Sequence, residues 1–144
     1  MDKIILFIDD EWAPNRPYFD ELKDQRFVCE HCRGTDAAWA FLVQNKNRVA
    51  LIVLDIMMDP GERYKDEDTH SGLTTGVFLF KDLRKSYPDI PIIVLTHVLN
   101  QETLDGFSQD QKEYIRQKTD CMPFELVELI RRRLGLDEDG GRAP

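Results

Sequence analysis

Three carboxylates and one hydroxyl in this 144-residue chain each stand directly after an apolar run. Asp9 and Asp10 follow the first run, Asp55 follows the second and Thr96 follows the third. Carboxylates that are brought together repel one another unless a cation neutralises them. Mg²⁺ suits such a group, because it takes one or two carboxylates and leaves its other positions to water and phosphate oxygens. A carboxylate beside Mg²⁺ can attack a phosphoryl group and form an acyl phosphate, so these residues indicate phosphoryl chemistry.

The apolar runs predict the elements that position these side chains. Residues 3–9, 50–57 and 90–96 are almost continuously apolar before their polar ends, which is typical of strands buried on both faces of a parallel sheet. In such sheets, ligands bind beyond the carboxyl ends of the strands, where the polar side chains stand. Two weaker segments, 26–32 and 114–118, complete a predicted set of five strands.

Helical patterns separate the strands, and a polar, aperiodic stretch at 59–75 predicts a long loop. This alternation predicts an α/β, flavodoxin-like (βα)₅ fold with a doubly wound parallel sheet in the order 2-1-3-4-5. We expect one domain over residues 1–136 and a disordered tail over 137–144. The first predicted helix starts near Pro14, and the second starts at an N-cap offered by Thr35 and Asp36. Three further helices are predicted over 76–86, 101–108 and 123–135.

Composition narrows the function classes. With 27 acidic and 19 basic residues, the chain has a net charge of −8, which argues against non-specific nucleic-acid binding. No apolar run approaches the roughly 20 residues of a membrane span, and no signal-peptide pattern precedes the first strand. The odd count of three cysteines favours a reducing cytoplasm. Cys29 and Cys32 form one Cys-x-x-Cys motif, but strand spacing sends their sulfurs to opposite faces, which disfavours a zinc site.

The order of these motifs resembles the receiver domain of two-component response regulators over about residues 3–135. The resemblance implies that Asp55 is the phospho-acceptor and that Asp10 binds Mg²⁺ directly, with Asp9 assisting through water. It also implies the backbone carbonyl of Met57 as a metal ligand. The motifs that carry the resemblance are Ile8-Asp9-Asp10-Glu11, Leu54-Asp55-Ile56-Met57-Met58, Leu95-Thr96, Lys118 and Pro123-Phe124-Glu125-Leu126.

The same resemblance implies roles for Thr96 as the switch hydroxyl and Lys118 as the base that pairs with the phosphoryl group. It implies a histidine kinase or phosphotransfer protein as donor, and output through a downstream protein or self-association. The chain would then be a signalling protein that catalyses only its own phosphorylation and dephosphorylation. We expect no direct contact with nucleic acid or membrane.

Lys118 departs from the family pattern, in which the lysine usually stands directly before a proline. Here Met122 precedes Pro123. Lys118 nevertheless lies 22 residues after Thr96 (118 − 96), the usual interval in the family, and ends a strand-like segment. We therefore predict that Lys118 is the functional lysine and that residues 119–122 are inserted before the last helix. The alternative is that Lys118 is an ordinary solvated base and the site is degenerate.

Three further departures leave function open. The interval of 41 residues between Asp55 and Thr96 (96 − 55) makes the intervening loop long, either as a solvated excursion or as a lid or docking element. His97 stands where the family prefers a small residue, and Ile115, next to Tyr114, stands where it commonly has an aromatic one. These departures favour one alternative, a phosphorylation-independent pseudo-receiver.

A second alternative is a Mg²⁺-dependent phosphohydrolase with an aspartyl nucleophile. Those enzymes usually carry a second Asp two residues after the nucleophile. Met57 stands at that position here, which argues against this alternative.

Overall fold

A single parallel sheet organises the chain. The computed structural model describes residues 3–136, so the tail predicted at 137–144 lies outside the described residues. The strand order is β2-β1-β3-β4-β5 and every pairing is parallel, which confirms the predicted flavodoxin-like topology. The strands are β1 (Ile4–Ile8), β2 (Val28–Cys32), β3 (Val49–Leu54), β4 (Ile92–Thr96) and β5 (Ile115–Gln117).

Helices cover both faces of the sheet. They are α1 (Arg16–Asp24), α2 (Thr35–Asn45), α3 (Thr75–Ser86), α4 (Gln101–Asp105), α5 (Gln109–Lys112) and α6 (Pro123–Leu134). Short 3₁₀ turns occupy Ala13–Asn15, Lys46–Arg48 and Lys118–Asp120. The helix predicted over 101–108 is shorter, and α5 was not predicted, because four polar residues give no readable periodicity. Within residues 3–136, no helix combines the length and apolar character that crossing a membrane requires.

Alternating strand residues build two cores, one on each face of the sheet. Leu6 and Ile52 face the core under α2 and α3, whereas Ile5 and Leu51 face the core under α1 and α6. Both faces are buried because a helix layer covers each, which explains the continuous apolar runs. The two cysteines of β2 divide in the same way: Cys32 belongs to the first core and Cys29 packs against the second.

The predicted N-cap at Thr35 and Asp36 is wrong. Helix α2 begins at Thr35, and neither the preceding Gly34 nor any other residue caps it through a side chain. The two polar side chains instead hold the 59–74 loop: Thr35 Oγ1 donates to the carbonyl of Pro60 at 3.1 Å, and Asp36 accepts two backbone N–H groups. A tertiary contact has replaced the local cap that the sequence pattern favours.

The 59–74 loop lies against the protein and does not extend into solvent. Tyr64 is buried between α2 and α3, and its hydroxyl donates to Asp82 at 2.6 Å. The guanidinium of Arg63 lies 3.6 Å from the centre of the Trp39 ring on α2, a cation–π contact. The loop is therefore an ordered strap over α2 and α3 that returns to the sheet edge at its end.

Candidate functional site

The carboxyl ends of β1 and β3 bring three carboxylates together. Asp9 and Asp10 follow β1, and Asp55 follows β3, whose end is tied to β1 by the bond from the Asp55 N–H to the Ile8 carbonyl at 3.0 Å. One carboxylate oxygen of each acid lies within 4.8 Å of the others. Asp9 and Asp55 are buried, at 3% and 2% exposure, whereas Asp10 is exposed. We call these three residues, together with Thr96 and Lys118, the acidic pocket.

Lys118 directly follows the edge strand β5, and its side chain reaches into the pocket. Its side chain is 6% exposed, and Nζ lies 2.7 Å from Asp9 Oδ2 and 3.9 Å from Asp55 Oδ2. It is therefore a buried cation between two carboxylates and not a solvated base. Its partners compensate the charge that burial would otherwise penalise.

A turn accommodates the four residues that separate Lys118 from the last helix. The chain leaves β5 through the 3₁₀ turn Lys118–Asp120 and enters α6 at Pro123. Tyr18 of α1 holds this turn, because its hydroxyl lies 2.6 Å from the carbonyl of Cys121 and 3.3 Å from that of Lys118. Burial raises the pKa of Tyr18 to about 12, so the hydroxyl stays a donor at neutral pH. The extra residues thus leave the lysine at the pocket.

The environment of Asp55 is electrostatically unfavourable. Burial, reinforced by the charge of Asp9, raises the pKa of Asp55 to about 6, although Lys118 opposes the shift. Burial and the neighbouring Asp9 and Glu11 also raise the pKa of Asp10. A bound cation would reduce the repulsion between these carboxylates and so favour their ionised forms.

Two buried oxygens in the pocket have no hydrogen-bond partner among residues 3–136. They are Asp55 Oδ2 and Thr96 Oγ1, at the ends of the adjacent strands β3 and β4; the Thr96 hydroxyl opposes the rise in the Asp55 pKa but makes no hydrogen bond of good geometry. A buried polar atom left unsatisfied costs about 1–3 kcal/mol, so a ligand that paired with these two oxygens would relieve that cost. Together with an all-oxygen donor set, they fit a hard divalent cation such as Mg²⁺ and an incoming oxyanion.

Hydrogen bonds from side chains and backbone N–H groups hold Asp9 and Asp55 in place. His31 Nε2 donates to the carbonyl of Asp9 at 2.6 Å, and the N–H of Glu11 donates to Asp9 Oδ1 at 2.9 Å. The N–H of Met57 lies 3.4 Å from Asp55 Oδ1. The predicted metal and phosphoryl residues therefore converge on one edge of the sheet.

His97 and Ile115 differ from the family pattern in ways that the structure explains. His97 Nε2 lies 3.0 Å from Glu11 Oε1, so this contact links the chain segments that follow β4 and β1. Ile115 is a buried member of the core under α2 and α3, and Tyr114 packs against the opposite core. Position 115 therefore carries no aromatic side chain beside the neighbouring strand β4, which ends at Thr96.

Sequence reasoning missed the residues that hold the backbone after Asp55. Thr75 and Gly76, at the start of α3, and Gly72, at the end of the loop, bond to the backbone of residues 56–58. Their only signal in the sequence was a pair of glycines inside a polar stretch. Beside them, a groove of about 630 Å³ opens between α3 and α4, with Leu73 and Val98 exposed in its wall.

Comparisons with known proteins reveal structural likeness only. No protein-family model matches the chain, and no curated protein does. The response regulator receiver protein from Pseudomonas putida is 20% identical over 92% of this chain and 98% of its own, with a TM-score of 0.73.

Two further solved structures agree. The signal receiver domain of a response regulator from Bermanella marisrubri is 19% identical over 93% of this chain and 99% of its own, with a TM-score of 0.70. The chemotaxis response regulator CheY4 of Vibrio cholerae is 20% identical over 93% of this chain and 100% of its own, with a TM-score of 0.68. The chain therefore has the fold of response regulator receiver domains.

Proposed function

We propose that this chain is a phospho-accepting receiver of a two-component system, with Asp55 as the residue that takes the phosphoryl group. One observation carries the proposal. Asp55 is buried, its Oδ2 accepts no hydrogen bond, and two further carboxylates and the Lys118 ammonium, 3.9 Å from that oxygen, lie around it. A site with only a structural role would be expected to pair that oxygen.

In the proposed reaction, a carboxylate oxygen of Asp55 attacks the phosphorus of a phosphohistidine on a histidine kinase or phosphotransfer protein. The new P–O bond forms as the P–N bond breaks, and the imidazole leaves with the bonding electron pair and takes up a proton. Asp9, Asp10, Asp55 and the carbonyl of Met57 would hold Mg²⁺, which offsets charge on the transferring phosphoryl oxygens. Lys118 would pair with one of these oxygens.

Thr96 would donate its hydroxyl proton to another phosphoryl oxygen, which ends its lack of a partner. Movement of this buried threonine would bias the packing between β4 and α6, a shift that needs only a few kcal/mol of differential interaction. Met122 and Phe124, at the start of α6, are more than half exposed and apolar. They support this face as the contact for a downstream protein or for self-association.

The direct test is incubation of the full chain with acetyl phosphate and Mg²⁺, followed by intact-mass analysis. We expect one phosphoryl adduct in the parent and none in Asp55→Asn. The matched control is Asp66→Asn, which alters an exposed carboxylate of the nearby loop and should form the adduct normally. Because an acyl phosphate is labile to hydroxylamine, that treatment should remove it.

Two results would contradict the proposal. An adduct that survives Asp55→Asn would place the phosphoryl group elsewhere. No adduct in the parent, with acetyl phosphate or with a histidine kinase, would favour the pseudo-receiver, which the Glu11–His97 contact and the buried Ile115 already support. Repeated release of phosphate from a simple phosphate ester would instead indicate a phosphohydrolase, although Met57 offers no second acid.

A further inference from the structure

We propose that the end of the 59–74 loop and the start of α3 clamp the backbone beyond Asp55 and make the metal site selective for Mg²⁺ over larger divalent cations. The inference rests on the proposed function, since it concerns the same metal. Its central residue is Thr75, which acts as a positioning residue through the backbone and not as a ligand.

The clamp consists of Gly72, Thr75 and Gly76, which bond to the backbone just after the phospho-acceptor. The carbonyl of Gly72 accepts the N–H of Met58 at 3.0 Å, and Thr75 Oγ1 donates to the carbonyl of Met58 at 2.6 Å. The N–H of Gly76 donates to the carbonyl of Ile56 at 2.8 Å. Residue Met58 is therefore held at both its N–H and its C=O, and its N–H belongs to the same peptide group as the carbonyl of Met57.

Direct backbone contact makes the clamp tight. A Cβ atom on Gly76 would overlap the carbonyl oxygen of Asp55. Gly72 has φ +90°, a conformation that glycine adopts readily, and a Cβ there would lie 2.6 Å from the Met58 carbonyl oxygen. These contacts leave no room for the 55–58 segment to shift toward α3.

The loop itself supports the clamp. Thr69 is buried, its Oγ1 accepts the N–H of Gly72 at 3.2 Å, and its carbonyl accepts the N–H of Thr74 at 3.0 Å. The loop end is thus internally bonded before it contacts Met58. A long insertion that only filled space would not need a buried threonine bonded on two sides.

The consequence falls on Met57, which lies between the two held residues. Among residues 3–136, its carbonyl accepts no hydrogen bond, whereas those of Ile56 and Met58 each accept one. The carbonyl that would serve the metal is therefore left free while its neighbours are fixed. Mg²⁺ requires near-ideal octahedral geometry, whereas Ca²⁺ accepts longer and irregular coordination. A fixed Met57 carbonyl therefore favours Mg²⁺. If this carbonyl becomes mobile, Mg²⁺ binding should weaken more than Ca²⁺ binding.

The test is to measure Mg²⁺ and Ca²⁺ dissociation constants on the full chain by Trp12 fluorescence and calorimetry, for the parent and Thr75→Val. Valine keeps the β-branched shape and removes the hydroxyl. Loss of an outer partner of a metal site typically weakens affinity about 10–100-fold. We expect a loss of about tenfold for Mg²⁺ and a smaller loss for Ca²⁺, so that the preference for Mg²⁺ narrows. Thr75→Ser, which restores the hydroxyl, should restore the preference.

Thr35→Val is the matched control. Thr35 is also a buried threonine whose hydroxyl donates to a loop carbonyl, that of Pro60, but it lies on α2, away from the clamp. Its loss should lower stability without changing the ratio of the two affinities. Thr69→Val removes the bond to the Gly72 N–H and is the second variant if Thr75→Val does not fold; it should narrow the preference in the same way.

The outcomes separate this inference from the proposed function. A parent that binds no Mg²⁺ would overturn both. The parent could instead bind Mg²⁺ and form the Asp55 adduct while Thr75→Val and Thr69→Val keep the parent's ratio of Mg²⁺ to Ca²⁺ affinity. That result would overturn only the clamp's role in selectivity.

Discussion

The acidic pocket and the 59–74 loop are both polar segments beside the end of β3, yet they treat charge in opposite ways. The pocket buries Asp9, Asp55 and Lys118, and Asp55 Oδ2 faces the Lys118 ammonium at 3.9 Å without accepting a hydrogen bond. The loop keeps its charges mostly exposed and bonds its backbone closely, as in the two N–H groups that donate to Asp36. The repulsion between buried carboxylates is thus concentrated where chemistry is proposed, whereas the adjoining loop is stabilised by hydrogen bonds to its backbone.

Removal of the buried cation should break this arrangement most severely. In Lys118→Met, Asp9 and Asp55 stay buried without their ammonium partner, and breaking a buried pair in this way typically costs about 3–5 kcal/mol. We expect that loss in the free energy of unfolding, measured by urea denaturation at pH 8 without Mg²⁺. It should shrink at pH 5, where Asp55 is protonated because its pKa is about 6.

Lys118→Arg keeps the positive charge and is the control, so it should lose less stability than Lys118→Met. Millimolar Mg²⁺ should return part of the stability of Lys118→Met, because a cation that binds only the native state stabilises it. A loss below about 0.5 kcal/mol at pH 8 would mean that the pocket is more hydrated than its burial indicates.

Neutralisation of Asp55, the proposed acceptor, should instead raise the free energy of unfolding. The folded-state pKa of Asp55 is raised from 3.8 to about 6, so the native state holds this proton more tightly than the unfolded chain does. Stability is therefore lost as pH rises from about 4 to about 6, and the penalty is complete above that range. We expect Asp55→Asn to raise the free energy of unfolding on the order of 2 kcal/mol at pH 8 without Mg²⁺.

The gain from Asp55→Asn should vanish below pH 4, where both states of the parent are protonated at this residue. Asp66→Asn, at an exposed position, should leave the free energy of unfolding within about 0.5 kcal/mol of the parent at either pH. A gain that did not change with pH would have to come from packing and not from the charge of Asp55.

The fold and the pocket were largely predictable because both follow from strands. Apolar runs buried on two faces fix a parallel sheet, and residues that directly follow them must share one edge. This logic placed Asp9, Asp55 and Thr96 without any knowledge of contacts. Lys118 could not be identified from a lysine directly before a proline, because the inserted turn separates it from Pro123. Its interval of 22 residues from Thr96 identified it instead.

The loop was unpredictable because long-range contacts determine its structure. Its polar sequence predicted no helix or strand over 59–75, which is confirmed for 59–74, whereas Thr75 already begins α3. The sequence did not reveal that Tyr64 would be buried or that Asp36 would serve the loop instead of capping α2. A helix cap is local in sequence, whereas Asp36 and Glu62 are 26 positions apart and meet only in the folded protein.

Asp36→Ala tests whether the loop is ordered by that contact. The side chain accepts the N–H of Glu62 at 2.8 Å and that of Arg63 at 3.1 Å in an exposed setting. We expect a loss of about 1–2 kcal/mol, within the range for charge-assisted hydrogen bonds, and faster amide exchange at both loop residues. Asp66→Ala removes a carboxylate from the same loop and should leave the exchange rates unchanged, so equal rates in both variants would refute the anchoring role.

The Glu11–His97 contact lies beside the acidic pocket, since the two residues follow Asp10 and Thr96, and its removal should have the smallest effect. Both side chains are about two-fifths exposed, at 43% and 41%, and exposed pairs contribute about 0.2–1 kcal/mol. A double-mutant cycle with Glu11→Ala and His97→Ala should therefore give a coupling energy in that range at low salt, and less in 1 M salt, since screening is strong at the surface. Coupling that persists in high salt would mean that the contact is shielded like the buried pair below it. In that case the poorly screened charges of the acidic pocket would extend outward to Glu11 and His97, beyond Asp9, Asp55 and Lys118.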